Sequence, residues 1–432
     1  MAANRVLRPG NISTNYTGKV TFFSVKMNFM SIPTPPIIPM SLPDLTDAER
    51  QAVLAVVNTP NLSMGPRIQA FEAEFRKFSG ARHALGVSSG TAGLHLCIRA
   101  AGIDGSKFEQ SDAPDLVITT PFSFVASTNV ILYEKAVPIF VDVEPLTGNI
   151  HPDLVRQTAR DLINGGKAAE RWLPRKGVPR SGGCLKALLT VDVFGQPAEM
   201  DTLAGIAREF NLKLIEDSCE ALGAKYKGRL AGTLGDYGVF AFYPNKQITT
   251  GEGGMIVTND DQAATLMAAL RNQGRAPGDT WLQHTYLGYN YRLDEMSAAL
   301  GVAQLQRLEE LLQKRERVAQ WYQQRLPEIP GVEAPSIAPT TSRVSWFVYV
   351  IRLAKGINRS AVAARLQEQG IPVRPYFLPI HLQPYLVEKF GYRVGDFPVT
   401  EDLGERGLAV PFSGLMSEEQ VDTVCRALFK AL

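Results

Sequence analysis

The sequence contains few of the residues from which disulfide frameworks and zinc sites are built. Its cysteines are widely scattered, and no two of them form a CxxC pair. This spacing excludes a disulfide framework and indicates the reducing cytoplasm as the location of the protein. The five histidines show no ligand spacing, so we expect no metal site. The four cysteines are Cys97, Cys184, Cys219 and Cys425.

The chain also lacks an excess of charge of either sign. The 45 basic and 43 acidic residues leave a net charge of +2, which gives no reason to expect nucleic acid or an anionic membrane as a partner. No apolar run approaches the about 18 residues of a membrane-spanning helix. Apolar residues make up 45% of the 432 residues, enough for the core of one large or two ordinary domains.

Three short apolar runs stand close together near the middle of the chain. They are Leu212–Ile215, Tyr237–Phe242 and Gly254–Thr258, and each has the length of a buried strand rather than of a core helix. Asp217 follows the first run, and Lys246 lies in the turn after the second. Because strands of a doubly wound α/β sheet present ligands at their ends, these two side chains are candidates for one site.

A lysine and an acid at one sheet edge point to a particular cofactor. A lysine whose amine is neutral part of the time attacks carbonyl groups, and an acid can keep a pyridine nitrogen protonated. Pyridoxal phosphate (PLP) requires both from a protein, and a glycine-rich turn, Thr249–Gly254, lies beside them. Taken singly, Lys246 could be a solvated turn residue and Asp217 a helix cap; the combination favours the cofactor site.

The same stretch resembles a known family. The motifs IEDSCEALGAKYKG and FAFYPNKQITTGEGGMIVTND are similar to the core signature of the DegT/DnrJ/StrS family of PLP-dependent nucleotide-sugar aminotransferases. The resemblance runs from about Pro36 to the C-terminus. It implies an α/β protein with the PLP-dependent transferase type I fold of aspartate aminotransferase.

That fold divides the chain into a large and a small domain. We expect residues 36–295 to form the PLP-binding large domain around a mostly parallel sheet. Residues 296–432 would supply a linking helix and a smaller α+β C-terminal domain. Residues 1–35 lack clear periodicity, and we interpret them as a disordered leader; an arm crossing to a neighbouring subunit, or a start codon placed too early, is the alternative.

The resemblance also assigns roles at the centre of the site. It makes Lys246 the lysine that bonds to the cofactor and Asp217 the partner of the pyridine nitrogen. Glu220 stands beside the ring hydroxyl, where members often carry His or Gln. Ala241 stands where many members have a serine that binds the phosphate, so one phosphate contact is expected to be missing. The sugar dehydratases of this family carry His in place of the lysine, so Lys246 favours transamination.

The phosphate and the ring are expected to lie on residues nearer the N-terminus. A strand at Ala84–Val87 leads through a turn of small residues into a helix, and free N–H groups at a helix N-terminus bind phosphate. By resemblance, Gly90, Thr91 and Ala92 form this phosphate site. Phe124, just before the next helix, would stack on the cofactor ring; core packing is the alternative.

The second half of the chain supplies residues that are assigned by resemblance alone. Asn290, in the segment GYNYR, is expected to reach the phosphate of a second subunit, with Arg292 beside it as a substrate contact. Tyr376 and His381 lie in a segment that resembles the loop closing over the sugar, and both are candidate substrate contacts. For His381, plain packing is an equal alternative. If Asn290 crosses between subunits, the smallest active unit is a homodimer.

Four other segments carry structural expectations. A helix at Leu45–Asn58 should be capped by Thr46 with Glu49, and a helix at Ile68–Phe78 should bury an aromatic stripe. A single long helix, Asp294–Arg325, should expose its charged run LEELLQKRER as a solvated face. Residues 159–183 are basic and rich in Gly and Pro, and we interpret them as an inserted loop with one short helix.

These observations predict an enzyme. It would move an amino group from an amino acid, glutamate by expectation, to a keto group of a nucleotide-linked deoxysugar in polysaccharide or glycan sugar biosynthesis. Two alternatives stay open: another PLP enzyme of the same fold, such as a sugar dehydratase or an aminohydroxybenzoate-type synthase, and a non-catalytic regulator.

Overall fold

The computed structural model describes residues 38–105, 113–179 and 182–432. The predicted leader, residues 1–35, lies outside them. Residues Pro36–Leu432 form one compact unit. Within the described ranges, none of the helices combines the length and apolar character that crossing a membrane requires.

The strands of the described residues fall into three sheets. They are β1 (His83–Val87), β2 (Asp115–Thr119), β3 (Val137–Phe140), β4 (Cys184–Val191), β5 (Lys213–Asp217), β6 (Lys225–Tyr226), β7 (Arg229–Leu230), β8 (Tyr237–Ala241), β9 (Gly254–Thr258), β10 (Val332–Glu333), β11 (Thr341–Arg343), β12 (Tyr349–Leu353), β13 (Arg374–Pro375) and β14 (Gly407–Val410). The main sheet has the order β1-β9-β8-β5-β4-β2-β3. Its strands from β8 to β3 are parallel, and β9 runs antiparallel to both β8 and β1. The predicted α/β class with a mostly parallel main sheet is confirmed.

Helices cover both faces of this sheet, and further helices pack in the C-terminal part. They are α1 (Asp47–Val57), α2 (Pro66–Ser79), α3 (Gly90–Ala100), α4 (Ala126–Tyr133), α5 (Pro152–Asn164), α6 (Gly166–Glu170), α7 (Met200–Glu209), α8 (Asp261–Arg271), α9 (Glu295–Gln306), α10 (Leu308–Arg325), α11 (Arg359–Glu368), α12 (Pro384–Phe390), α13 (Pro398–Arg406) and α14 (Glu418–Ala431). Successive strand residues point to opposite faces. Leu189 and Ile215 therefore join the core under α3 and α4, whereas Leu188 and Leu214 join the core under α5 and α7.

The C-terminal part has a sheet and a core of its own. Its sheet has the order β10-β12-β14-β13 and is antiparallel throughout. The helix α10 packs on α14, while α9 packs on α1 and α2. The core between α10, α14 and this sheet holds Tyr322, Tyr349 and Leu428, each exposed by 1% or less. The division at residues 295 and 296 stays a prediction.

Two of the predicted helices are confirmed in detail. Thr46 caps α1, and Glu49 completes the capping box. In α2, Phe71 and Phe75 are fully buried and pack on Phe242, so the aromatic stripe is core.

The single long helix from Asp294 to Arg325 is wrong. The chain forms two helices, α9 and α10, that meet at the non-helical Arg307. No Gly or Pro marks this break. Instead, the Arg307 side chain binds Asp44 and Glu49 from the N-terminal end of the described chain, a long-range contact that local sequence cannot reveal.

The predicted insertion begins later than residue 159. Residues 159–164 are the last turns of α5, with Ala159 and Leu162 buried, because the apolar spacing of that helix continues past the predicted boundary. The short helix expected in the insertion is α6. The basic residues of the insertion include Arg171, which pairs with Asp161 of α5.

Candidate active site

The site forms at the edge of the main sheet where the parallel strands end. Asp217 is the last residue of β5. Lys246 lies in the turn that follows β8, and α3 begins directly after β1. The buried strands bring these three points of the sequence to one edge, as expected for a doubly wound sheet.

The carboxylate of Asp217 is held in one orientation by two donors. Ser127 Oγ on α4 donates to Asp217 Oδ2 at 2.7 Å, and the Cys219 N–H donates to Oδ1 at 3.2 Å. The residue is 5% exposed. Ser123 Oγ lies 2.9 Å from Ser127 Oγ and extends the chain of hydroxyl groups. Hydrogen bonds to both oxygens fix the direction of the carboxylate at this edge of the sheet.

The amine of Lys246 lies between an acid and an aromatic ring. Its Nζ is 3.7 Å from Glu220 Oε1 and 3.7 Å from the ring centre of Phe347, and its side chain is 13% exposed. Glu220 accepts a hydrogen bond from the Phe194 N–H at 2.9 Å. Burial raises the pKa of Glu220, and the nearby Lys246 opposes the rise only in part.

A buried arginine holds the backbone on both sides of this amine. Arg315 Nη2 donates to the carbonyls of Asn245 and Lys246, and its Nη1 donates to those of Trp346 and Phe347. Burial lowers the pKa of Arg315 to about 10. The side chain is 4% exposed, so the prediction that its charged run is a solvated face is wrong at this residue.

The start of α3 forms a cradle of small residues. Ser89 caps the helix by accepting the Ala92 N–H at 3.1 Å, which leaves the Gly90 and Thr91 N–H groups at the open end. A Cβ on Gly90 would lie 2.7 Å from Cys219 Sγ and 2.8 Å from the Cβ of Ala241. A side chain at position 90 would therefore fill the space between the helix and β8.

These groups together fit PLP. The cradle offers helix N–H groups to a phosphate, Lys246 offers an amine, and Asp217 offers an oriented carboxylate. Gly254 on β9 adds to the close packing, since a Cβ there would lie 2.8 Å from the Gly90 nitrogen. Gly90, Thr91, Ala92, Asp217 and Lys246 would hold the cofactor, with Glu220 next to the lysine.

Phe124 lies at the same edge and is not a core residue. It precedes α4, and its carbonyl accepts the N–H of Ser127, the serine that binds Asp217. Its side chain is 64% exposed, so the core-packing alternative is wrong. Stacking on the cofactor ring stays a prediction.

The two substrate candidates of the C-terminal part differ. Tyr376 packs on Phe347, with ring centres 6.3 Å apart; burial, together with the charge of Glu220, raises its pKa to about 12, so it lies beside the site. His381 is fully buried, and its Nε2 lies 3.0 Å from Glu401 Oε1. A side chain without exposed surface cannot touch a substrate, so the substrate prediction for His381 is wrong and the packing alternative holds.

The segment assigned to a second subunit runs beside α3. Asn290 pairs through its backbone with Asn272 and is exposed. Arg292 pairs with Val87 in the same way, and its Nη1 donates to Asn272 Oδ1 at 3.0 Å. The contacts of Asn290 and Arg292 with phosphate and substrate stay predictions.

Sequence reasoning missed four residues of the site. Phe194 lies in the motif FGQPAEMD, which carries part of the family resemblance and could have indicated it. Ser127 and Phe347 lie within runs that read as an ordinary helix and strand, and Arg315 lies within a charged run. None of these three has a local signal. In the part of the chain that the structure describes, no three His, Cys, Asp or Glu side chains gather in a group that could hold a metal ion.

Comparisons with known proteins point to one family. The model of the DegT/DnrJ/EryC1/StrS aminotransferase family matches residues 43–429. A GDP-perosamine synthase of Caulobacter vibrioides is 36% identical over 401 residues, which cover 92% of this chain and 99% of the relative.

Two solved structures confirm the predicted fold. Helicobacter pylori PseC, described as an aminotransferase involved in the biosynthesis of pseudoaminic acid, superposes with a TM-score of 0.78 at 26% identity over 91% of this chain and 98% of its own. A 3-amino-5-hydroxybenzoic acid synthase superposes with a TM-score of 0.78 at 26% identity over 92% of this chain and 99% of its own.

Proposed function

The chain belongs to the DegT/DnrJ/EryC1/StrS aminotransferase family, and from this premise we propose that it moves an amino group from glutamate to a keto group of a nucleotide-linked deoxysugar. The family's enzymes are PLP-dependent sugar aminotransferases, so the protein is an enzyme and its cofactor is PLP. The nucleotide-linked substrate is supported by the similarity to a GDP-perosamine synthase. We place the reaction in the cytoplasm and in polysaccharide or glycan sugar biosynthesis.

One observation carries the proposal: the Lys246 amine, whose side chain is 13% exposed, and the buried, hydrogen-bonded Asp217 carboxylate both lie at the edge of the sheet where α3 begins. When bound, PLP supplies an electron sink for the α-carbon of the amino donor. Asp217 would keep the pyridine nitrogen protonated. Lys246 Nζ would take the proton from the α-carbon of the amino donor and pass it to the cofactor. The aromatic ring of Phe347, whose centre lies 3.7 Å from Lys246 Nζ, excludes water from one side of this amine.

The active unit would be a homodimer with shared sites. Asn290 is exposed and precedes Arg292 on a segment that borders α3, and we assign it to the phosphate of a second copy. Tyr376 and Arg292 are the proposed substrate contacts.

The first experiment compares the purified protein with Lys246→Ala. We expect the wild-type protein to show the visible absorbance of bound PLP and to change it on addition of glutamate, with 2-oxoglutarate formed. Lys246→Ala should lose both the change and all turnover while it keeps the fold by circular dichroism. Lys225→Ala, which alters an exposed lysine of β6, is the matched control and should behave like the wild-type protein. Turnover by purified Lys246→Ala would contradict the proposal.

A second PLP activity is favoured by one observation, the likeness to an aminohydroxybenzoic acid synthase. Incubation with glutamate and a panel of nucleotide-linked ketosugars separates the two. An aminotransferase forms an amino sugar and 2-oxoglutarate in equal amounts. A synthase or a sugar dehydratase forms no amino sugar, even if PLP is bound.

A further inference from the structure

A cluster of buried polar groups lies apart from Lys246 and is centred on Glu134 at the end of α4. Glu134 Oε1 lies 2.8 Å from His95 Nε2 and accepts a hydrogen bond from Tyr289 at 2.7 Å. Its other oxygen accepts the Gly105 N–H at 2.7 Å. Glu134 and His95 are exposed by 6% and 4%, so these contacts are formed away from water.

Two more groups complete the cluster. Arg99 on α3 donates to the Tyr289 oxygen at 2.7 Å, and His95 Nδ1 lies 3.0 Å from the Tyr291 oxygen. The rings of Tyr289 and Tyr291 stack at 4.9 Å with an angle of 9°. Both tyrosine hydroxyls are therefore bound by side chains of α3 or α4. We name Glu134, His95, Arg99, Tyr289 and Tyr291 the tyrosine clamp.

The two tyrosines of the tyrosine clamp are alternate residues of one extended segment. Asn290 and Arg292 form antiparallel bridges with Asn272 and Val87, so neighbouring side chains of this segment point to opposite sides. Tyr289 and Tyr291 point toward α3, and Asn290, between them, is exposed. The backbone on either side of Asn290 is hydrogen-bonded as well, through the Tyr289 N–H to the Leu270 carbonyl at 2.6 Å and the Tyr291 N–H to the Arg271 carbonyl at 3.0 Å. The two hydroxyl groups add side-chain anchors to this backbone pairing and fix which side of the segment faces α3.

A purely apolar contact would bury the same rings without fixing their direction. Buried polar groups gain little net stability over an apolar core, but they specify one arrangement. The segment is also joined to the turn before the cradle, because the Ser88 N–H donates to the Tyr291 carbonyl at 2.9 Å.

We propose that the tyrosine clamp is a positioning device that holds Asn290 where it enters the active site of a second copy of the chain. This inference rests on the proposed shared site. Tyr289, Tyr291 and Glu134 are then positioning residues for the PLP site of the second copy, which Asn290 of their own chain enters.

The first test measures PLP affinity by absorbance titration of the cofactor-free dimer. Tyr289→Phe removes one hydroxyl and keeps the ring, and we expect PLP to bind about tenfold more weakly, the effect of a lost buried hydrogen bond. Tyr237→Phe is the matched control: it also loses a buried hydroxyl, which donates to the Ala100 carbonyl at 3.2 Å, but it does not touch the segment of Asn290. Equal losses of affinity in both variants would overturn the proposal.

The second test asks which subunit's site the clamp serves. Tyr289→Phe and Asn290→Ala are each co-expressed with Lys246→Ala under a different tag, the mixed dimers are purified, and PLP affinity and the absorbance change with glutamate are followed. A mixed dimer has one site with an intact lysine, which receives Asn290 from the Lys246→Ala chain. In the mixed dimer with Tyr289→Phe, this site should regain wild-type PLP affinity and about half of the wild-type signal per dimer.

The outcomes separate this inference from the proposed function. If the mixed dimer restores PLP affinity for Asn290→Ala but not for Tyr289→Phe, the tyrosine clamp acts on its own subunit's site. This result overturns the inference alone. Failure to restore Asn290→Ala overturns the shared site and the inference together. A wild-type protein that binds PLP but does not respond to glutamate overturns the transaminase proposal. The measurements of PLP affinity then still test whether the tyrosine clamp positions Asn290.

Discussion

Two walls face the amine of Lys246, and they are built in different ways. The sheet wall consists of Asp217, Ser127 and the start of α3, and its groups are polar side chains bound to one another. The C-terminal wall consists of Phe347, whose ring centre lies 3.7 Å from the amine, and of Tyr376, which packs on Phe347. Behind this wall, the Arg315 guanidinium donates hydrogen bonds to the carbonyls of Phe347 and Lys246.

The difference divides the work of the site. The sheet wall places charge and protons, so changes there should act on the rate of reaction. The C-terminal wall sets position and keeps water out, so changes there should act first on stability and cofactor affinity. This division is testable because each wall offers substitutions that keep the volume of the side chain.

The largest expected effect lies in the sheet wall. Asp217→Asn keeps the shape and an acceptor for Ser127 but removes the charge that holds a proton at the pyridine nitrogen. We expect kcat to fall about 10²- to 10³-fold, the loss typical for a misplaced electrostatic group in a buried site. The free energy of unfolding, measured in urea, should stay within about 1 kcal/mol of the wild-type value.

Asp236→Asn is the control for this change. Asp236 accepts the Leu214 N–H at 2.8 Å at the opposite end of β5, so kcat should be unchanged. A kcat for Asp217→Asn close to the wild-type value would contradict the claim that the sheet wall acts on the rate of reaction.

The second effect lies behind the C-terminal wall. Arg315→Met leaves four carbonyls without their buried donor, so we expect the free energy of unfolding to fall by about 2–3 kcal/mol. Arg317→Met changes an exposed residue of the same helix and should stay within about 0.5 kcal/mol. A loss of kcat in Arg315→Met with unchanged urea stability would show that both walls act on the rate.

The sheet wall could be predicted from sequence, and the reason is local. Asp217 and Lys246 follow short apolar runs, and the small residues around Gly90 precede a helix. Strand ends and helix starts are coded by neighbouring residues, and the main sheet brings the ends of its parallel strands together.

The C-terminal wall could not be predicted in the same way. Phe347 and Arg315 reach Lys246 across about 100 and 70 residues of sequence, and each stands in a run with an ordinary structural interpretation. His381, in the loop assigned to the sugar, is buried instead. The break at Arg307 has the same cause, since its partners Asp44 and Glu49 lie far away in the sequence.

The third prediction concerns Glu220, where the walls meet. Burial raises its pKa above the ordinary value of 4.5, so the folded state binds this proton more tightly than the unfolded chain does. The free energy of unfolding should therefore fall as the pH rises above 4.5, until the folded-state pKa is passed.

Glu220→Gln removes this fall. The difference in unfolding free energy between variant and wild type should grow with pH across that window, by about 1.4 kcal/mol for each unit by which the pKa is raised, and then stay constant. Urea unfolding at a series of pH values measures it. A difference that shrinks as the pH rises toward 4.5 and is constant above it would mean that Lys246 outweighs burial and that Glu220 is charged across the window above 4.5.

The smallest effect tests the cradle itself. Ala241 places its Cβ beside Gly90, so Ala241→Ser would bring a hydroxyl next to the open N–H groups of α3. If the phosphate binds there, one added hydrogen bond should tighten PLP binding about threefold to tenfold, with kcat little changed. Ala48→Ser, on the exposed side of α1, should leave the affinity as it is. Weaker PLP binding by Ala241→Ser would move the phosphate away from β8, and the sheet wall would then hold the ring of the cofactor without its phosphate.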